Sequence, residues 1–197
     1  MSKSEPASHK KERSKSISWI ISIFITTIIV SGIISFASSE IMERSTMMVA
    51  FIILFVIVFV GIVFDIIGVA VTSADEKPFH SMAARKVPGS QEAIGLLRKA
   101  ERVSSICNDV IGDICGVVSG SASASIATQI VANFSGDVDE IVLLLMSALV
   151  AGITVGGKAI GKGFAIGSCT KIVSFVGKTI WTVGHIPDLL SRKKNNS

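Results

Sequence analysis

ICNDVIGDICGVVSGSASASIATQIVANF, residues Ile106 to Phe134, is the stretch from which the rest of the chain is read. It is long enough to cross a bilayer, which takes about 20 helical residues at a rise of 1.5 Å each. Little of it is greasy. Laid on a helix, one i, i+4 row reads Asn108, Gly112, Gly116, Gly120, Ala124, Thr128, Ala132, a ridge almost free of side chains. The neighbouring row reads Asp109, Asp113, Val117, Ser121, Ser125, Gln129 and is mostly polar. Such a helix is poor in water, where each Gly costs up to about 1 kcal/mol against Ala. It is also poor facing lipid, where carboxylates and hydroxyls lack partners. It makes sense when the smooth ridge packs on another helix and the polar row faces a protein interior or a watery cavity. Packing alone accounts for the Gly and Ser residues. Asp109 and Asp113, one turn apart, ask for more unless they lie at a membrane surface.

The whole chain supports a membrane setting. Its 197 residues are 49% hydrophobic and 17% charged, with a mean hydropathy of +0.64. A soluble domain carries about 25% charged residues. The expected class is an all-α integral membrane protein of four spans, with no room for a sizeable soluble domain. The net charge of +4 is spread by topology rather than gathered in a patch, so nucleic acid is not an expected partner. Cys107, Cys115 and Cys169 show no CxxC spacing and read as small packing residues, not as a disulfide or zinc framework.

Residues 1–16 are polar and basic and read as a disordered cytoplasmic tail. The first span is expected at 17–37, with Trp19 at headgroup level. A basic start before an apolar run can also be a signal peptide, but this run exceeds the usual length of about 7–15 residues, and an uncleaved helix is expected. The second span, 47–72, carries Asp65 well inside it. An isolated carboxylate there costs roughly 2.5–3.5 kcal/mol on insertion scales, which makes it a functional candidate. The alternatives are a structural Asp bonded to a neighbouring helix, or one hydrated near the interface. A helical hairpin follows at 78–104, against the membrane surface, with Pro78 in its first turn and Ser90 as N-cap of its second helix. Spans three and four are expected at 106–133 and 141–157. The Gly-rich tract after Gly157 lacks the GxxxxGK[ST] frame of a phosphate loop. Residues 164–186 form an amphipathic interfacial helix, with Lys171, Ser174, Lys178, Thr182 and His185 on one stripe. Residues 187–197 are a basic tail.

Counting Lys and Arg tests this layout. Eighteen of the nineteen fall in the N-terminal tail, in the 73–105 loop or from Lys158 onward, and Arg44 alone falls on the other side. With both termini cytoplasmic, the positive-inside rule holds almost without exception, provided the fourth helix ends near Gly157. A multi-pass protein of the cell membrane is expected.

The polar groups inside the apolar segments are rich in oxygen: Asp65, Asn108, Asp109, Asp113 and hydroxyls such as Ser121. Hard cations such as Mg2+ take oxygen ligands, commonly one or two carboxylates plus retained waters. No Ser-His-Asp set, Cys-His pair or metalloprotease motif is present, so an enzyme and a bound cofactor are not expected.

The run from Phe64 to Asp75, FDIIGVAVTSAD, with the hairpin and then SSICNDVIGD, resembles the membrane domain of the CorB/CorC and CNNM magnesium transporters. In that family a span ends in a pattern like FxSGxExALxS. A helix opening with an Asn-rich stretch follows, and the next span closes with a GEIxPK-like element and an amphipathic belt helix. The resemblance runs from about Val49 to His185. It places Asp65 at the first Ser of the pattern, Gly68 at its Glu, and Asn108 and Asp109 in the Asn-rich stretch. Lys158 falls at the Glu of the closing element and Gly161 at its Pro. Two acidic positions are therefore replaced, and the first span is an addition to the usual three.

The resemblance implies transport of a divalent cation of the Mg2+ or Co2+ type by a homodimer. Asp65, Asn108, Asp109, Asp113 and Ser121 would supply oxygen ligands between the second, third and fourth helices, whose Gly ridges offer slidable contacts. The CBS pair that follows in the family has no counterpart before Ser197, so regulation is expected from a separate soluble partner. The alternative is a scaffold or regulatory protein on the same fold that moves no ion, with Lys158 paired to Asp65 or Asp113.

Overall fold

The computed structural model describes residues 7–43, 46–132 and 139–194, and these are all-helical, with no strand among them. Seven helices follow in order. Helix α1 is Ala7–Glu43, α2 Met47–Ser73, α3 Lys77–Ala84 and α4 Ser90–Leu97. Helix α5 is continuous but changes winding: it is α-helical over Ala100–Ser105, a π-helix over Ile106–Gly112, and α-helical again over Asp113–Ala132. Helix α6 is Asp139–Gly167 and α7 is Cys169–Lys194. Four stretches are long and apolar enough to cross a membrane: Ile17–Ser38, Met47–Ser73, Ala100–Val131 and Leu144–Gly167.

Helix α2 is the hub, packed against α4, α5, α6 and α7. It has a mean hydropathy of 3.3 over its span and buries two separate lengths of its surface. Near its start, Ala50, Leu54 and Val58 pack with Ala122 and Ile126 of α5 and Val150 of α6. Near its end, Ala70 and Val71 join Phe79 of α3, Ala93 and Leu97 of α4, Ala165 of α6 and Val173 of α7. Helix α1 lies against α5, and its Trp19 ring carries the Arg102 guanidinium at 5.2 Å. That cation–π contact ties the start of the first apolar stretch to the first turn of α5.

Several boundaries differ from the sequence expectation. Residues from Ala7, expected to be a disordered tail, are already helical; the run is rich in Lys, Glu and Arg, which are good helix formers, and has no Gly or Pro. The hairpin does not extend to residue 104. Its second helix stops at Leu97, and Ala100–Ser105 is the first part of α5. The fourth helix does not end near Gly157 but continues to Gly167. Two of its glycines are occupied from outside: a Cβ on Gly157 would overlap Ile62 of α2, and one on Gly161 would stand 2.7 Å from Ile66. Packing therefore holds the Gly-rich tract in a helix that propensity alone disfavours. The amphipathic helix begins at Cys169 and runs to Lys194, beyond the expected 164–186.

The hairpin is locked by its turn. Pro78 sits in the first turn of α3, as expected. The N-cap of α4 is Gly89 rather than Ser90, with φ +84, and Ser90 Oγ donates instead to the Val87 carbonyl at 2.7 Å. Any Cβ on Gly89 would strike the backbone of Lys178 in α7, and one on Gly177 would stand 3.0 Å from Ala93. Two glycines thus let α4 and α7 touch backbone to backbone.

A direct contrast follows. Gly89→Ala combines a positive φ with a backbone clash and should cost about 1–3 kcal/mol. Gly95→Ala, inside α4 with open space around its Cβ, should stabilise by about 0.4–1 kcal/mol. Thermal melting of the purified protein in detergent should therefore move in opposite directions for the two variants.

Candidate functional site

Between the two apolar clusters of α2 lies a waist, and Asp65 is in it. The residue is 4% exposed, and its Oδ2 has no hydrogen-bond partner. On the same face of α2, one turn to either side, stand Gly61 and Gly68. Both glycines receive α5. A Cβ on Gly61 would be 2.9 Å from Cys115 Cβ, and one on Gly68 would overlap the Asn108 amide, with its Cγ at 2.9 Å. The pairing of Gly61 with Cys115 and Gly68 with Asn108 shows that α2 and α5 run antiparallel. It also sets Asp65 level with residues 111–112.

Asn108 lies within the π-helical turn Ile106–Gly112. Such turns are rare and occur mostly as single interruptions of α-helices, often at functional sites. Its Nδ2 donates to Ser104 Oγ at 3.2 Å, while Oδ1 is buried and unpartnered. Two buried oxygens without partners therefore sit one turn apart at the α2–α5 contact. Leaving a buried polar atom unpaired costs about 1–3 kcal/mol, and more for a charged group. Structures keep few such atoms.

Helix α6 contributes a charge of the opposite sign. Gly157 against Ile62 and Gly161 against Ile66 set α6 parallel to α2 and bring Lys158 to the depth of Asp65. Its Nζ lies beside Gly112, 3.3 Å from where a Cβ on that glycine would stand. It does not bond to Asp65 Oδ2.

The other residues expected at a site are placed elsewhere. Asp109 is exposed and accepts a hydrogen bond from Ser105 Oγ at 2.7 Å. Asp113 is also exposed. Ser121 donates to the Val118 carbonyl at 2.9 Å and lies more than two turns beyond Gly112. Among the described residues no three His, Cys, Asp or Glu side chains gather to hold a metal. Asn108 thus packs at Gly68, one turn from Asp65, while Asp109 and Asp113 are exposed and Ser121 bonds within its own helix. Lys158, the alternative partner for Asp65 or Asp113 in the sequence, reaches from α6 to Gly112 of α5, a contact that no spacing in the sequence announces. Away from the waist, Ser123 is fully buried with an unpartnered Oγ and lies outside both the smooth and the polar rows.

The donor set at the waist is one carboxylate and one amide oxygen. Both are hard ligands, suited to a cation that keeps most of its water. No protein-family model, curated protein or solved structure matches this chain.

The Gly68–Asn108 contact can be tested by exchanging volume. Gly68→Ala should destabilise the protein by about 1–3 kcal/mol, the usual range for overpacking. Adding Asn108→Ala should return part of that loss by vacating the space. Melting temperatures of the two single variants and the double variant decide it; a double variant less stable than Gly68→Ala would show that the two side-chain positions do not compete for space.

Proposed function

We propose that this chain transports a hydrated divalent cation of the Mg2+ kind across the cell membrane. The observation that carries the proposal is the pair of buried, unpartnered oxygens, Asp65 Oδ2 and Asn108 Oδ1, on facing helices at a π-helical turn. The four apolar stretches act as spans with both termini cytoplasmic, in the manner of the CorB/CorC and CNNM membrane domain. The fourth runs to Gly167, so Lys158 and Lys162 lie within it and the orientation rests on the remaining Lys and Arg residues. Homodimerisation belongs to this reading. Asp65 supplies the charge that draws the ion from water, Asn108 a neutral oxygen, and retained waters complete the shell. The waist between two apolar clusters seals the site above and below. Relaxing the π turn of α5 to ordinary α winding would rotate Asn108 away from Asp65 and release the ion to one side.

A second reading is favoured by a specific observation. Lys158 brings an ammonium to the depth of Asp65, while Asp109 and Asp113 are exposed rather than buried beside it, so the local charge is low. On that reading the chain is a membrane scaffold or regulatory protein that moves no ion.

Mg2+ uptake into proteoliposomes separates the two. The wild type should show flux, and Asp65→Asn, which keeps the shape and removes the charge, should lower it by about tenfold or more, equivalent to about 1.4 kcal/mol. Folded wild-type protein without flux would favour the scaffold.

A further inference from the structure

We propose that Lys158 is a tethered cation that competes with the transported ion for Asp65. This deepens the proposed site and rests on that reading. Three features of the structure lead to it.

The first is the unpaired carboxylate. Asp65 is 4% exposed and its Oδ2 is unpartnered, an arrangement that is costly for an ionised carboxylate unless a countercharge is within reach. The second is register. Contacts at Gly61 and Gly68 fix α5 against α2, and contacts at Gly157 and Gly161 fix α6 against α2. Both registers converge on Asp65, and Lys158 enters from α6 at that depth. The third is the notch at Gly112. Its missing side chain leaves room for Nζ on the inner side of α5, so the ammonium is held near the site without occupying it. Gly112 is also the last residue of the π-helical segment that carries Asn108, so the notch and the amide belong to one structural unit.

The consequence is an exchange. With no ion bound, the Lys158 side chain turns from the Gly112 notch toward Asp65 and supplies its countercharge. An arriving divalent cation takes the carboxylate, and charge repulsion returns the ammonium to the notch. The flexible four-carbon stem of lysine allows this movement without displacing a helix. The carboxylate then keeps a countercharge within reach, and a weakly bound ion is expelled by the protein's own cation.

The test is a melting-temperature cycle on the full chain in detergent, with wild type, Lys158→Met, Asp65→Asn and the double variant. Each is measured without divalent ions and then across a Mg2+ titration. Without Mg2+, Lys158→Met should lower the melting temperature when Asp65 is present and leave it unchanged in the Asp65→Asn background. With Mg2+, Lys158→Met should be stabilised at a concentration about tenfold or more below that needed by the wild type. Melting temperatures that show no coupling between the two positions would overturn the proposal, whatever Mg2+ does. Coupling without a Mg2+ response in any variant would overturn the competition and the transport reading together, leaving a Lys–Asp partnership. Coupling with equal Mg2+ midpoints in wild type and Lys158→Met would overturn the competition while leaving cation binding intact.

Discussion

Asp65 has a carboxylate placed where carboxylates are expensive, on the most apolar helix of the chain, and the surrounding packing is arranged to leave it open. The effective penalty for burying an unpaired ion is several kcal/mol, a sizeable part of the total stability of a small domain. Two apolar clusters on α2, one on each side of the waist, offset that penalty. On the proposed transport reading, removing the charge should be easy for the fold and costly for flux, the usual sign of strain kept for a purpose.

Glycine makes the arrangement possible. Helices approach closely where side chains are absent, and this protein uses that freedom at five points around Asp65. Gly61 admits Cys115, Gly68 admits the Asn108 amide, Gly112 admits the Lys158 ammonium, and Gly157 and Gly161 admit Ile62 and Ile66. The first two fix the register of α5, the last two that of α6, and the one between them receives a charged group. The same tight packing restrains motion elsewhere, so the π-helical turn at Ile106–Gly112 is the natural place for α5 to change its winding.

Much of this architecture could be read in the sequence. Long uncharged runs announce helices, so 17–37 and 47–72 fall within a residue of the long apolar stretches observed. Asp65 stood out because an ionisable group inside such a run is rare. The periodicity of Asp109 and Asp113 puts them on one row, but a row on a helical wheel does not say which way it faces. In the structure both carboxylates are exposed. The end of α6 was misplaced for a related reason: glycine counts against a helix until another helix fills its notches. Lys158 and Gly112 are joined only by the register of three helices, which no local pattern encodes.

Infrared difference spectroscopy of the protein in lipid, with and without Mg2+, asks most directly whether Asp65 meets a cation. A carboxylate stretching band should shift when Mg2+ is added, and that shift should vanish in Asp65→Asn while the amide bands of the helices stay unchanged. A spectrum with no carboxylate change, or a change that survives Asp65→Asn, would contradict the assignment of this residue to the ion.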